Sequence, residues 1–176
     1  MASRITVRGS SGAGKSTFAA ELARRLGVSW IELDALSHGP NWSAPEPGVF
    51  RARVREAMAA SPGGWVVDGD YDGKLGETVL GPADTIVWLD IPLWVSYPRM
   101  VRRTLIRCRN KVELWNGNRE TWRDQFASRE SIFYWTIRLH IRQAREWPVQ
   151  FGHDPRLVRL RSDAEARRWL NLQGVD

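Results

Sequence analysis

The sequence contains one cysteine, three histidines and, by direct count, three lysines among its 176 residues. With Cys108 alone, no intrachain disulfide can form, so the fold must be stabilised by a packed core. No apolar run approaches the ~20 residues that a membrane-spanning helix requires, and the first residues lack the charged and apolar regions of a secretory signal peptide. We therefore expect a cytoplasmic protein without a membrane partner.

Positive charge is carried almost entirely by arginine. The basic residues number 26, of which 23 are arginines, and the formal net charge is +6. Residues 99–145 contain eleven arginines and Lys111 against four carboxylates, a net charge of +8. Such a concentration indicates either an arginine-rich solvated surface or a surface that binds phosphate, since guanidinium groups hold phosphate through paired hydrogen bonds.

Short apolar runs rich in β-branched residues predict five strands. They lie at residues 4–8, 28–33, 65–68, 84–90 and 156–162. Strands that alternate with helices along a chain form a parallel sheet covered on both faces, which places the chain in the α/β class. A chain of this length is most simply one domain, here residues 1–176.

Apolar side chains at four-residue spacing predict the helices between these strands. Two are expected at residues 15–26 and 49–60, and a last helix of about ten residues follows Ser162 as its N-cap. A helix near residues 93–110 contains Pro98, which predicts a kink or a later start. A further helix is expected near residues 119–145, with one apolar side formed by Trp122, Phe126, Phe133, Ile137 and Ile141.

Residues 9–16, GSSGAGKS, match the pattern G-x-x-x-x-G-K-[ST] in full, between a predicted strand and a predicted helix. The glycines let successive backbone N–H groups converge on phosphate oxygens, and the helix N-terminus adds its positive dipole end. In such a loop Lys15 reaches the β- and γ-phosphates, and the Ser16 hydroxyl ligates Mg²⁺. The pattern predicts ATP and Mg²⁺ as cofactors. The expected nucleotide-binding residues are Gly9, Ser11, Gly12, Ala13, Gly14, Lys15, Ser16 and Thr17.

The motifs together resemble those of the adenylate-kinase-like P-loop kinases. The resemblance rests on GSSGAGKST, on the aspartate that ends IELD, and on WVVDGDY and ADTIVWLDIP. In particular, the chain is similar to small bacterial relatives labelled topology modulation protein or adenylate kinase-related protein. The resemblance implies a P-loop NTPase fold, a three-layer sandwich with a five-stranded parallel sheet of order 2-3-1-4-5. It also implies an acceptor-side segment near residues 34–62 and a helical, arginine-rich lid within residues 99–145.

The resemblance assigns roles to two carboxylates outside the loop. Asp68, at the end of the third predicted strand, takes the position of a residue that holds Mg²⁺ through its water shell. Asp34 takes the position of the acidic residue that faces the acceptor hydroxyl in sugar- and shikimate-type kinases. The predicted metal-binding residues are therefore Ser16 and Asp68.

The resemblance also gives the arginines of residues 99–145 a function. Arg103 and Arg107 share one helix face, as do Arg138 and Arg142 on the next predicted helix. They resemble lid arginines that stack on the nucleotide and clamp the transferring phosphoryl group. Such cations are needed because phosphoryl transfer depends on charge neutralisation. Arg103 and Arg107 are expected to bind the nucleotide. The expected catalytic residues are Lys15, Asp34, Arg107 and Arg138.

The acceptor side departs from the family pattern. Adenylate kinases follow the third strand with Gly-Phe-Pro-Arg, whose arginine holds the acceptor phosphate, whereas residues 69–72 here read GDYD. The segment after the second strand, DALSHGPNW, lacks the usual Thr-Gly-Asp…Arg pattern as well. Arg51 and Arg55 lie one turn apart and could replace the missing cations or form an exposed face. The candidate acceptor-binding residues are Asp34, His38, Trp42, Arg51, Asp70 and Tyr71.

A hydroxyl acceptor must lose a proton and so benefits from a carboxylate base, whereas a phosphate acceptor is already anionic and needs cations. Because GDYD carries no arginine, the sequence favours an ATP-dependent small-molecule kinase with a hydroxyl acceptor and Asp34 as base. A nucleoside monophosphate kinase remains an alternative. A second alternative is a nucleic-acid-associated protein in which ATP changes the conformation.

Overall fold

The computed structural model describes residues 3–123 and 132–174. Five strands form one parallel sheet of order β2-β3-β1-β4-β5, which confirms the predicted order. The strands are β1 (Ser3–Gly9), β2 (Ser29–Glu32), β3 (Gly64–Asp68), β4 (Thr85–Leu89) and β5 (Leu157–Leu160). The central strand β1 pairs Val7 with Asp68 and Gly9 with Leu89. The carboxyl ends of β1, β3 and β4 therefore meet at one edge of the sheet.

Helices connect the strands and cover the sheet. They are α1 (Lys15–Leu26), α2 (Leu33–Ser37), α3 (Pro47–Ala59), α4 (Asp72–Leu75), α5 (Glu77–Leu80), α6 (Leu93–Asn110), α7 (Ile132–Phe151) and α8 (Asp163–Asn171). The Ser162 side chain accepts a hydrogen bond from the backbone N–H of Glu165, so it is the N-cap of α8 as predicted. Within the described ranges, none of these helices combines the length and the apolar character needed to cross a membrane.

Alternate residues of the central strands pack on opposite faces of the sheet, as strand geometry requires. On one face, the buried Val66 and Val87 join Phe18 and Leu22 of α1. The other face is covered by two groups, one with Val67 and the residues Phe50 and Val54 of α3, the other with Trp88 and the residues Trp147 and Phe151 of α7. Both faces are thus buried, which gives the three layers of the predicted α/β fold.

Three elements differ from the predictions in their boundaries. β2 is shorter than expected, because Leu33 already begins the one-turn helix α2. The helix α6 begins at Leu93 and continues through Pro98, so the later start is not observed. The second predicted lid helix does not begin at Arg119, which instead pairs with Glu113 in an isolated antiparallel bridge. Part of that predicted helix, including Phe126, lies outside the described residues.

Candidate active site

Two glycines at the turn from β1 to α1 lie too close to neighbouring backbone to carry a side chain. Gly12 has φ +81°, and a Cβ there would lie 2.1 Å from the carbonyl oxygen of Ser96. A Cβ on Gly9 would lie 2.7 Å from the carbonyl oxygen of Leu89. Gly14, in the left-handed region directly before Lys15, offers no capping side chain to α1. The first N–H groups of the helix are therefore left for a bound anion.

Lys15 and Ser16 lie beside the buried carboxylate of Asp68. The Lys15 Nζ donates a hydrogen bond to the Ser10 carbonyl oxygen at 3.1 Å. Asp68 is 3% exposed, and its Oδ1 has no hydrogen-bond partner among the described residues. Burial raises the pKa of Asp68, although the charge of Lys15 and a hydrogen bond from Ser16 oppose that rise. An unpaired buried carboxylate oxygen next to a hydroxyl fits a hydrated divalent cation, so Ser16 and Asp68 fit Mg²⁺.

The acceptor side is built from the ends of β2 and β3. Asp34 lies in the first turn of α2, and Tyr71 follows β3. The Tyr71 hydroxyl donates a hydrogen bond to Oδ1 of Asp34 at 2.6 Å. Burial, together with the adjacent Asp34, raises the pKa of Tyr71 above its ordinary value. Tyr71 therefore stays protonated and keeps Asp34 fixed through this bond.

His38 belongs to an aromatic cluster that joins two loops. Its ring stacks on Trp115 with centroids 5.7 Å apart, and it meets Trp42 edge-on at 5.3 Å. Burial is the main reason why the pKa of His38 is lowered. The Asn118 side chain accepts from the Trp42 backbone N–H at 2.9 Å and donates to the Gly39 carbonyl oxygen at 2.9 Å. Trp42 and Trp115 thus hold the loops together, and Trp42 does not line the cleft described next.

A cleft of about 450 Å³ brings the two halves of the site together. The residues singled out from the sequence that line it are Gly9, Ser11, Lys15, Ser16, Asp34, His38, Asp68, Asp70, Tyr71, Arg103 and Arg142. The sequence reasoning missed four other lining residues, Gly69, Lys74, Trp135 and Leu139. Lys74 lies in α4, a helix of one turn. Such a short element has no periodicity that could have revealed its direction.

The predicted lid arginines have different surroundings. Arg103 lines the cleft, and desolvation, followed by the charge of Arg107, lowers its pKa, although an arginine remains protonated. Arg107 donates to Oε1 of Glu120 at 3.0 Å, and that carboxylate is only 6% exposed. The guanidinium of Arg138 lies over the Tyr134 ring, and Arg138 does not line the cleft. Neither Arg107 nor Arg138 lines the cleft in this conformation.

Two further candidate acceptor residues have partners of their own. Asp70 accepts from Arg8 at 2.6 Å and from Gln143 at 2.8 Å, so both of its carboxylate oxygens are engaged. Arg8 is buried, and its guanidinium lies over the Trp147 ring. Arg51 donates to the Lys74 carbonyl oxygen at 2.8 Å and does not line the cleft. Asp70 therefore anchors the loop after β3, and Arg51 supports α4.

Comparisons with known proteins identify the fold. No family model matches the chain, and no curated protein matches it. A solved structure, a gluconokinase from Sinorhizobium meliloti 1021, matches with a TM-score of 0.55 and 22% sequence identity. The match covers 97% of this chain and 92% of that chain. Together with the strand order, this likeness shows that the chain has the P-loop NTPase fold.

Proposed function

We propose that the chain is an ATP- and Mg²⁺-dependent phosphotransferase that moves the γ-phosphate of ATP to a hydroxyl group of a small acceptor. One observation carries this proposal. Lys15 and Ser16 of a complete phosphate loop line the same cleft as Asp34, with the buried Asp68 between the strand ends. The gluconokinase with the same fold supports a small-molecule acceptor.

The donor side requires a cation-rich setting for the phosphates. Lys15 would meet the charge on the β- and γ-phosphates, and the free N–H groups at the start of α1 would bind their oxygens. Ser16 and Asp68 would hold Mg²⁺, which supplies charge neutralisation at the transferring phosphoryl group when bound. Arg103 lines the same cleft and adds a further cation on this side.

The acceptor side requires a base for the reacting hydroxyl. Tyr71 engages Oδ1 of Asp34, and no hydrogen bond to Oδ2 is found among the described residues, so Oδ2 would accept the hydroxyl proton of the acceptor. The acceptor oxygen attacks the γ-phosphorus, the bond from that phosphorus to the bridging oxygen breaks, and ADP leaves. The hydroxyl proton passes to Asp34, which returns it to water.

A nucleoside monophosphate acceptor has less support, because its phosphate would need cations on this side of the cleft. Arg51 and Arg55 were the candidates for that role. Arg51 is bonded to the Lys74 carbonyl oxygen, and neither arginine lines the cleft.

The test is phosphoryl transfer from γ-labelled ATP to a panel of sugars, sugar acids, nucleosides and nucleoside monophosphates. We expect Lys15→Ala to lower turnover by about 10²-fold or more, as the loss of a preorganised charge does. Asp34→Asn should lower turnover by about 10²-fold while ATP affinity changes little, because it removes the base and keeps the shape. Lys111→Ala, at an exposed lysine beyond α6, is the control. Normal turnover in both folded variants would exclude the proposed function.

A further inference from the structure

Four cationic side chains of the described residues line the cleft. They are Lys15, Lys74, Arg103 and Arg142. Lys15 belongs to the phosphate loop, and the two arginines lie on α6 and α7. Lys74 differs from them because it lies in α4, three residues after Tyr71. It is therefore the cation on the acceptor side.

Lys74 has no carboxylate partner within the described part of the chain. All ion pairs found there involve other residues. Asp70 and Asp72, the acidic residues that shortly precede it in the chain, both pair with Arg8. The Lys74 Nζ lies 5.9 Å from the centroid of the Tyr71 ring. A half-buried ammonium group that lines a cleft without a counter-ion is suited to an anionic ligand.

Contacts with α3 hold the main chain of Lys74 in place. Arg51 on α3 donates to the Lys74 carbonyl oxygen at 2.8 Å. The next residue, Leu75, is buried in the group that contains Phe50 and Val54. A one-turn helix has little stability of its own, so these contacts keep Lys74 at the cleft. Arg51 would then support acceptor binding through Lys74.

Asp34 and Lys74 lie near the same histidine. The pKa of His38, lowered mainly by burial, is raised by the charge of Asp34 and lowered further by the charge of Lys74. Asp34 and Lys74 also line the same cleft. A small molecule bound in that cleft would therefore meet both a proton acceptor and a cation.

We propose that Lys74 binds a carboxylate of the acceptor, and that the acceptor is a small hydroxy acid whose reacting hydroxyl lies at Asp34. This inference rests on the proposed function and gives the substrate class of the same site. One ammonium group balances a monoanion. A phosphate dianion would need several cations, and here it would also meet the negative charge of Asp34.

The test compares matched acceptors that differ in the anionic group alone. An aldonic acid and the alditol of the same carbon chain are assayed with γ-labelled ATP. We expect the acid to be preferred by roughly 10- to 100-fold in kcat/KM, the effect of one charge-assisted hydrogen bond. Lys74→Gln should remove this preference, mainly through KM, and leave the alditol unchanged. Lys74→Arg should restore part of the preference, whereas Lys111→Gln, the same change at an exposed lysine, should alter neither acceptor.

The outcomes separate this inference from the proposed function. Equal use of acid and alditol by the wild type would overturn the inference and leave the kinase assignment standing. A nucleoside monophosphate that exceeds every acid and depends on Lys74 would show that the bound group is phosphate, which also overturns the inference. If no acceptor is phosphorylated, the proposed function fails. The change in Tm on adding an aldonic acid then tests whether Lys74 binds a carboxylate. Aldonic acids should then stabilise the wild type more than Lys74→Gln, and equal shifts would reject the site.

Discussion

Asp68 is a residue whose environment opposes its charge. Burial raises its pKa from the ordinary value of 3.8, so the folded state binds this proton more tightly than the unfolded state does. The free energy of unfolding therefore decreases as the pH rises from about 3.8 through the raised pKa, and the cost persists at neutral pH. The same carboxylate is required for Mg²⁺ in the proposed function. In the proposed function, the charged Asp68 therefore lowers the free energy of unfolding and also serves as the metal-binding carboxylate.

This conflict leads to a prediction for Asp68→Asn. Without nucleotide or Mg²⁺ at pH 7.5, we expect the variant to have a higher Tm than the wild type, by about 2–4 °C for each kcal/mol removed. Phosphoryl transfer should fall by about 10²-fold. The control is Asp154→Asn, because hydrogen bonds from Arg156 lower the pKa of Asp154 and the change should lower Tm. A fall in Tm for both variants would show that Asp68 stabilises the fold.

His38 should make stability depend on pH near neutrality. Its pKa is lowered from 6.5, chiefly by burial, and the charge of Asp34 opposes this only in part. Stability is then complete above pH 6.5, and it decreases as the pH falls from 6.5 through the lowered pKa. Urea unfolding at several pH values between 7.5 and 5 measures this slope. We expect a shallower slope in His38→Gln than in the wild type, and no such change in the exposed His153→Gln.

At the scale of elements, local patterns predicted β1, the phosphate loop and α1 well. The loop depends on glycines that can adopt positive φ, and those glycines are visible in the sequence. The surroundings of the acceptor side were not predictable, because they depend on residues far apart in the chain. Asp70 is held by Arg8 and Gln143, which lie 62 and 73 residues away, and Arg51 by the backbone of Lys74. Residue type alone made Asp70 and Arg51 look like ligands.

The helix α6 carries Arg107, whose partner Glu120 suggests a second test. Among the described residues, Oε2 of the buried Glu120 has no partner and Oε1 is bonded to Arg107, so Arg107→Ala would leave neither oxygen with a described partner. We expect a loss of stability on the order of 2 kcal/mol. Arg138→Ala should leave Tm nearly unchanged, since the Arg138 guanidinium is exposed and lies over Tyr134.

The double variant Arg107→Ala with Glu120→Gln separates structure from catalysis. Neutralising Glu120 should restore most of the lost stability, because no buried charge remains. If Arg107 also clamps the nucleotide, as the sequence predicts, phosphoryl transfer should stay at least about 10-fold below the wild type. Recovery of both Tm and transfer would limit Arg107 to its ion pair with Glu120.

At the scale of the whole molecule, ion pairs neutralise part of the positive charge of the arginine-rich residues 99–145, and two of the carboxylates, Glu146 and Asp163, lie outside that range. Among the described residues, four of its arginines are paired with carboxylates, in the pairs Arg99–Asp163, Arg107–Glu120, Arg119–Glu113 and Arg142–Glu146. These pairs reduce the charge available for a nucleic acid. A nucleic acid would then contact exposed arginines such as Arg102 and Arg109.

We therefore expect only weak, non-specific binding to DNA. Fluorescence anisotropy of a labelled duplex should show affinity that falls steeply between 50 and 200 mM salt, because such binding depends on released counterions. Addition of ATP and Mg²⁺ should not strengthen it. Binding that persists at the higher salt and responds to ATP would favour the nucleic-acid alternative over the kinase.

The close approach of Gly12 to α6 limits how a closing movement could occur. A Cβ on Gly12 would lie 2.1 Å from the Ser96 carbonyl oxygen and 3.1 Å from the Met100 Cβ, so the loop touches the first two turns of α6 directly. Arg99, in the same stretch, is bonded to Asp163 of α8 at 2.6 Å. The beginning of α6 is thus a fixed pivot, and any swing belongs to the turns beyond Met100. Arg107 lies seven residues past Met100, about 10 Å along the helix, so a rotation of α6 about Met100 would move Arg107 while the residues against the phosphate loop stay in place.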